Sequence, residues 1–379
     1  MTALETIAIF SPSLQIGGAE RAVVNLANGF SREGKAVSLL LAVAQGPLCN
    51  ELDPGVEIID LRQRGVFGAL APLSRFLQIE CPDILFSAQS HANLIALLAR
   101  KLARVNLPVV INEQTTMSVH YALEPGLKNR IVPKLARLFY RQADAVVCIS
   151  QGVADDILAV TKISSERVHR IYNPVLPPLA ELEQKIKASV EHPWFFPESP
   201  PVILAVGRLT TAKDYPTLLR AFALARQERE MRLLILGEGE KRNELEALVR
   251  SIKIGDDVQL PGSVSNPFGY MVRSSVFALS SAWEGLSNVL VEALACGAPI
   301  VATDCKYGPA EILDYGKYGT LVPVGDAEAM AEAILETLNE HPDRTSLRRR
   351  SLDFTLETIV QQYLVLFDAV IRGRNIRYS

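Results

Sequence analysis

Short apolar runs alternate along this chain with longer segments whose apolar residues recur every three or four positions. The runs are Ile7–Phe10, Ser38–Val43, Val56–Asp60, Ile84–Ser87, Val109–Asn112, Ala145–Ile149 and Val168–Ile171. Helical patterns such as Glu20–Ser31, His91–Arg104 and Gln151–Val160 follow several of them. The stretch Val37–Ala44 is broken only by Ser38 and reads as a buried strand. Strand-then-helix alternation predicts a doubly wound, mainly parallel sheet.

The pattern stops where Pro174, Pro177, Pro178, Pro193, Pro197, Pro200 and Pro201 cluster. Proline is excluded from helix interiors and central strands, so residues 176–199 read as a linker with one short helix at Glu181–Ser189. A second series follows at Val202–Val206, Arg232–Leu236, Val258–Leu260, Val276–Ser280, Ile300–Ala302 and Gly319–Val322, with helices such as Tyr215–Gln227 and Lys241–Lys253 between. The chain is therefore expected to be α/β, with two Rossmann-like doubly wound domains over 1–175 and 200–354 facing a central cleft. A terminal helix over 355–379 is expected to cross back onto the first domain. In such sheets ligands bind beyond the carboxyl ends of the strands.

Composition narrows the classes. Among 379 residues, 39 Lys and Arg against 42 Asp and Glu leave a charge of −3, which disfavours a nucleic-acid binder. Cys49, Cys81, Cys148, Cys296 and Cys305 lack C-x-x-C spacing and suggest neither a metal site nor a disulfide framework. The segment from Met1 lacks the basic start and long apolar core of a signal peptide, and no apolar stretch approaches the ~18 residues of a membrane span. A cytoplasmic chain is expected, at most peripheral on the inner face of a membrane. The segment Leu127–Arg141 interleaves Lys128, Arg130, Lys134, Arg137 and Arg141 with apolar residues at helical spacing. It suits either a packed surface helix or a patch that meets anionic lipid.

Three segments carry candidate chemistry. After the strand ending at Val206, Gly207 permits a tight turn, and Arg208 and Lys213 place two cations at the strand's carboxyl end. Two cations there suit a diphosphate, although two solvated loop charges would look the same. After Val276–Ser280, Gly285 marks a turn, Ser287 suits an N-cap and Gly297 a helix stop, so a helix N-terminus faces the same edge. Glu284 and Glu292 flank that helix start, and carboxylates accept hydrogen bonds from vicinal sugar hydroxyls. Gly17 and Gly18 follow the first strand and let main-chain amides face a ligand. Neither this pair nor Gly237-Glu238-Gly239, with Arg242 in place of a third glycine, completes a G-x-G-x-x-G dinucleotide fingerprint.

Taken together, Gly17-Gly18-Ala19-Glu20, Gly207-Arg208 with Lys213-Asp214, Gly237-Glu238-Gly239, the E-x(7)-E element Glu284–Glu292 and Cys305–Leu313 resemble the retaining nucleotide-sugar glycosyltransferases of family 4, with GT-B architecture. The resemblance implies an acceptor domain in the first half and a donor domain in the second. It implies that Arg208 and Lys213 bind and stabilise the leaving diphosphate, Glu284 contacts the transferred sugar, and Glu292 binds the donor ribose. It further implies main-chain contacts from Leu286, Ser287 and Asn288, a base contact near Val264, and donor-site roles for Gly17, Gly18, Gly207 and Gly239. Many relatives carry a histidine after the fourth or fifth strand. Here Glu113 or Gln114 stands in that place as an acceptor-side candidate, with His91 and His120 nearby.

The implied reaction moves a hexose or N-acetylhexosamine from a nucleotide diphosphate sugar, most simply UDP-linked, to a hydroxyl of a lipid-linked or surface-glycan precursor. Neither cofactor nor metal is implied. Rival readings are a nucleotide-sugar isomerase or hydrolase on the same fold, a dinucleotide-dependent oxidoreductase, and a binding protein with a lapsed site.

Overall fold

The computed structural model describes residues 4–15, 17–118, 127–196, 198–340 and 343–373, excluding the side chains of 127–130. His120 lies outside the described residues, as do the side chains of Lys128 and Arg130. The chain divides into two units, one of residues 1–174 with 356–379 and one of residues 175–355.

The first unit holds β1 (Thr6–Ser11), β2 (Ala36–Leu41), β3 (Val56–Asp60), β4 (Ile84–Ala88), β5 (Val109–Glu113), β6 (Ala145–Cys148) and β7 (Val168–Arg170). They form one parallel sheet in the order β3-β2-β1-β4-β5-β6-β7. Register explains why β2 begins earlier than its apolar run suggests. Ala36 pairs with Thr6 and Leu41 with Ser11, which leaves Ala42 and Val43 beyond the last paired residue. Every residue of β4, β5 and β6 is buried, the physical reason their sequences do not alternate.

Helix Leu356–Ile371 belongs to this unit and packs beside helix Gly18–Arg32. Tyr363 stands edge-on to Phe30 and Phe86, at centroid separations of 6.1 and 5.3 Å, and Phe367 lies 5.5 Å from Phe30. The Tyr363 hydroxyl also accepts a 3.0 Å hydrogen bond from Asn112 Nδ2, which leaves neither buried polar group unpaired.

The second unit holds β8 (Val202–Val206), β9 (Arg232–Leu236), β10 (Val258–Gly262), β11 (Val276–Leu279), β12 (Ile300–Thr303) and β13 (Thr320–Val322). Their order is β10-β9-β8-β11-β12-β13, again all parallel. Helices Tyr215–Glu228 and Ala327–Asn339 cover a core that includes Ile203, Leu218, Phe222, Leu233 and Ile334.

Residues 176–199, read from their prolines as a linker, pack within this second unit. Their helix spans Leu179–Lys187 rather than Glu181–Ser189, buries Leu182 and rests on helix Phe268–Met271. Asn266 Nδ2 fastens its end by a 2.9 Å hydrogen bond to the Lys185 carbonyl. Prolines exclude a segment from helix interiors and sheets without preventing it from docking.

In both sheets the strand order reverses beside the first strand, between β1 and β4 and between β8 and β11. The connections leave these strands in opposite directions, which opens a crevice at the carboxyl edge.

Candidate active site

The loops leaving β8, β9 and β10 are stitched together through their backbones. Gly207 N–H donates to Leu236 O at 3.0 Å, Gly237 N–H to Gly262 O at 2.9 Å, and Leu209 N–H to Glu238 O at 2.9 Å. A Cβ on Gly237 would overlap Gly207 O, and one on Gly239 would overlap Leu209 O. These glycines therefore answer a close approach of main chains, a role not distinguishable in sequence from a phosphate-facing one. Val264 lies in the loop after β10 and is half-buried.

Lys213 ends a short 3-10 turn, Thr211–Lys213, and its Nζ lies 2.5 Å from Glu284 Oε1. Ser281 Oγ donates to the same oxygen at 2.6 Å. Two further bonds clip the loops after β8 and β11 together. Ala282 N–H donates to Ala212 O at 2.8 Å, and Ser280 Oγ donates to Lys213 O at 2.8 Å. The structure thus joins two sequence-predicted residues across 71 positions. Glu284 Oε2 has no hydrogen-bond donor among the described residues. Tyr215 lies behind the pair, where burial and then the Glu284 charge push its phenol pKa up and keep it neutral. The Arg208 side chain is exposed and has no hydrogen-bond or ion-pair partner among the described residues.

Helix Asn288–Cys296 starts beside this pair. Gly297 ends it in the left-handed region, at φ 68°, as its sequence position suggests. Ser287 differs from expectation. It occupies the N-cap position with φ −83° and ψ 87°, and its side chain makes no capping bond. Ser287 is only 1% exposed, and its Oγ has no partner among the described residues. The helix's first turn is held by backbone bonds, Asn288 N–H donating to Leu286 O at 3.1 Å and Leu290 N–H to Ser287 O at 3.0 Å, so the Ser287 hydroxyl is a buried polar group left over at the helix start. Leu286 and Asn288 flank it, both half-buried, and Gly308 on the loop after β12 approaches Gly285 and Ser287.

Glu292 lies on the same helix, half-buried. Burial pushes its carboxyl up to about 7, against the opposing pull of Lys185 and Lys213. Ser281 and Lys185 were not singled out from sequence. Nothing local links Lys185 to Glu292.

The first unit presents a second polar cluster at its own strand reversal. Gly17 is the N-cap of helix Gly18–Arg32, and Gly18 is its first residue. Glu20 folds back against Gly17 and accepts a 2.8 Å hydrogen bond from Gln89 Nε2. Glu113 is wholly buried at the end of β5. Its Oε1 accepts from Asn93 Nδ2 at 2.9 Å and from the Tyr140 hydroxyl, and its Oε2 accepts from Ser90 Oγ at 2.9 Å. Gln114 Oε1 accepts from Asn173 Nδ2 at 2.7 Å, and its Nε2 donates to Asn112 Oδ1. Both acceptor-side candidates are thus held by neighbours in their own unit. His91 sits in helix Ser90–Ala103, edge-on to Phe67 at 6.4 Å.

On helix Leu127–Phe139, Val132 and Ala136 are buried, while Ile131, Lys134, Arg137 and Leu138 are exposed. Among the described residues no helix is long and apolar enough to cross a membrane.

Comparison with known proteins agrees with this arrangement. The family model "Glycosyltransferase Family 4" matches residues 16–177, and "Glycosyl transferases group 1" matches residues 188–353. A Campylobacter jejuni N-acetylgalactosamine-N,N'-diacetylbacillosaminyl-diphospho-undecaprenol 4-alpha-N-acetylgalactosaminyltransferase is 33% identical over 269 residues, 71% of this chain and 70% of the relative. A second C. jejuni enzyme, a GalNAc-alpha-(1->4)-GalNAc-alpha-(1->3)-diNAcBac-PP-undecaprenol alpha-1,4-N-acetyl-D-galactosaminyltransferase, is 27% identical over 380 residues, 96% of this chain and 98% of that one. The crystal structure of the Anabaena protein HepE in complex with UDP superimposes with a TM-score of 0.74 at 19% identity, covering 96% of this chain and 99% of that chain. Neither an isomerase or hydrolase nor an oxidoreductase is favoured by these relatives. Two all-parallel units, each open at its strand reversal, and matches across both halves make this chain a member of the family 4 (group 1) glycosyltransferases, with the GT-B fold.

Proposed function

We propose that this chain transfers a hexose or N-acetylhexosamine from a UDP-linked donor to a hydroxyl of a lipid-linked glycan precursor, with retention of anomeric configuration. One observation carries the donor half. At the reversal between β8 and β11, Glu284 keeps one oxygen open while Lys213 holds the other, beside the unpartnered Ser287 hydroxyl and the unpaired Arg208. The UDP complex of HepE and the diphospho-undecaprenol substrates named for the C. jejuni relatives support the donor and acceptor classes.

In this reading the anomeric carbon–oxygen bond breaks and its electron pair goes to the departing β-phosphate. The acceptor oxygen attacks from the same face, and its proton passes to that phosphate. Arg208, Lys213 and the helix start at Ser287 stabilise the charge that develops, each such donor contributing about 3 kcal/mol. Glu284 Oε2 accepts a hydroxyl of the transferred sugar, and Leu286 and Asn288 approach it through main-chain groups. Glu292 accepts the ribose hydroxyls, and the base lies near Val264. Glu113 and Gln114 are already bonded to neighbours, and these steps draw on neither. Exposed Ile131 and Leu138 beside Lys134, Arg137 and Arg141 suit the surface of an anionic membrane, which would bring the chain to a lipid-linked acceptor.

The test offers a panel of nucleotide sugars with a polyprenyl-diphosphate-linked acceptor and reads the new anomeric proton by NMR. A UDP-sugar giving an axial (α) linkage from an α-linked donor is expected. An inverted linkage, or turnover with no UDP-sugar, would overturn the proposal.

A further inference from the structure

We propose that Tyr215 is a further donor-binding residue, its hydroxyl donating a hydrogen bond to the β-phosphate of the nucleotide diphosphate sugar. This rests on the reading of Arg208 and Lys213 as the diphosphate contacts.

Four tyrosines are buried among the described residues, Tyr140, Tyr172, Tyr215 and Tyr363. A buried phenol normally finds a partner for its hydroxyl. The Tyr140 hydroxyl donates to Glu113, the Tyr172 hydroxyl accepts from Arg170, and the Tyr363 hydroxyl accepts from Asn112. Tyr215 is the exception. It is only 3% exposed, yet its hydroxyl has no hydrogen-bond partner among the described residues. Its ring belongs to the core that includes Ala205, Leu209 and Leu218, which limits its freedom to turn the hydroxyl elsewhere.

Gly207 marks where that hydroxyl stands. A Cβ on Gly207 would lie 3.0 Å from the Tyr215 hydroxyl oxygen, 3.2 Å from Lys213 Cε and 3.6 Å from Lys213 Cδ. The phenol and the Lys213 side chain therefore flank one space, which half-buried Gly207 leaves open at the carboxyl end of β8. A tight turn brings them together. Asp214 N–H donates to Thr211 O at 3.3 Å, Asp214 takes the left-handed region at φ 43°, and Tyr215 opens helix Tyr215–Glu228. Ser280 Oγ, from beyond β11, holds the Lys213 carbonyl at 2.8 Å and so fixes the same turn.

The chemistry of this space suits a phosphate. Burial and then the Glu284 charge raise the Tyr215 phenol pKa, so the hydroxyl keeps its proton and can donate. Phosphate oxygens are acceptors, and a hydrogen bond to a charged oxygen is among the stronger ones. Lys213 Nζ reaches Glu284 Oε1 at 2.5 Å, and Glu284 is the residue read as the contact of the transferred sugar. The phosphate joined to that sugar is the β-phosphate, which receives the electron pair when the anomeric bond breaks. A donor fixed beside it meets charge that grows during the reaction. No bond to Tyr215 forms or breaks.

The experiment measures UDP and UMP binding to the full chain by titration calorimetry, for wild type and Tyr215→Phe, together with the Tm of each protein. The substitution removes the hydroxyl alone, and UMP lacks the β-phosphate. Tyr215→Phe is expected to bind UDP about tenfold or more weakly than wild type and to bind UMP equally well. Its Tm should be unchanged or higher, because no internal hydrogen bond is lost. An equal loss for UMP, with a lowered Tm, would assign the hydroxyl to the fold and overturn the inference. So would unchanged UDP affinity in Tyr215→Phe while wild type binds UDP more tightly than UMP. Wild type binding UDP no more tightly than UMP would overturn the diphosphate reading of Arg208 and Lys213, and this inference with it.

Discussion

Replacing Glu113 by glutamine should stabilise the protein at alkaline pH and flatten its dependence on pH. Glu113 is wholly buried, and burial pushes its carboxyl from 4.5 up to about 7. Hydrogen bonds from Tyr140, Asn93 and Ser90 oppose that rise, and the charge of Asp156 adds to it. Because the folded value lies above the unfolded one, the unfolded chain releases its proton first as pH increases. Stability from this group is complete below about pH 4.5, falls between about 4.5 and 7, and levels off above. At 1.36 kcal/mol per unit the loss amounts to about 3 kcal/mol. Glutamine has no such term. Its oxygen keeps the bonds from Asn93 and Tyr140, and its amide can donate to Ser90 Oγ. Urea unfolding followed by far-UV circular dichroism at several pH values reads the difference. Tryptophan fluorescence is unsuitable, because Trp194 and Trp283 both lie in residues 175–355. Wild type and Glu113→Gln should coincide near pH 4 and diverge by up to about 3 kcal/mol at pH 8. Parallel curves, or a variant less stable at pH 8, would refute the reasoning.

Three other outcomes are expected. Arg208→Ala and Lys213→Ala should each lower kcat for sugar transfer by about 100-fold or more, measured with saturating donor; turnover unchanged in the double variant would remove both from the chemistry. Gly237→Ala should destabilise the protein by about 2 kcal/mol or more, seen as a lower Tm, because its Cβ would overlap the Gly207 carbonyl and its φ of 154° strains any other residue. Under native conditions Ellman's reagent should titrate Cys81 fast and half-buried Cys49 slowly, while buried Cys148, Cys296 and Cys305, all with raised thiol pKa values, stay silent until urea is added.

Much of the architecture was legible because its signals are local. A buried parallel strand must be apolar on both faces, so runs such as Val109–Asn112 and Val202–Val206 announce themselves within a residue of their observed ends. Gly297 marked a helix stop for a similarly local reason. The same locality set the limit. Ser287 has the right chemistry for an N-cap, yet its hydroxyl makes no capping bond, and only the tertiary fold reveals it as buried and unpartnered among the described residues. Glu113 reads in sequence as an available carboxylate, whereas Asn93, Ser90 and Tyr140 enclose it from other elements.

The amino-acid order by itself determined which segments are strands and helices, where the two series begin and end, and which loops follow each strand, since these depend on neighbours a few residues apart. Only the tertiary structure decided that Lys213 grips Glu284, that helix Leu179–Lys187 docks against helix Phe268–Met271, and that Glu113 is enclosed by Asn93, Ser90 and Tyr140. Lys213 and Glu284 meet because strand order reverses at β8 and β11 and brings distant loops to one edge. That reversal is a property of the assembled sheet, and no local stretch of residues contains it.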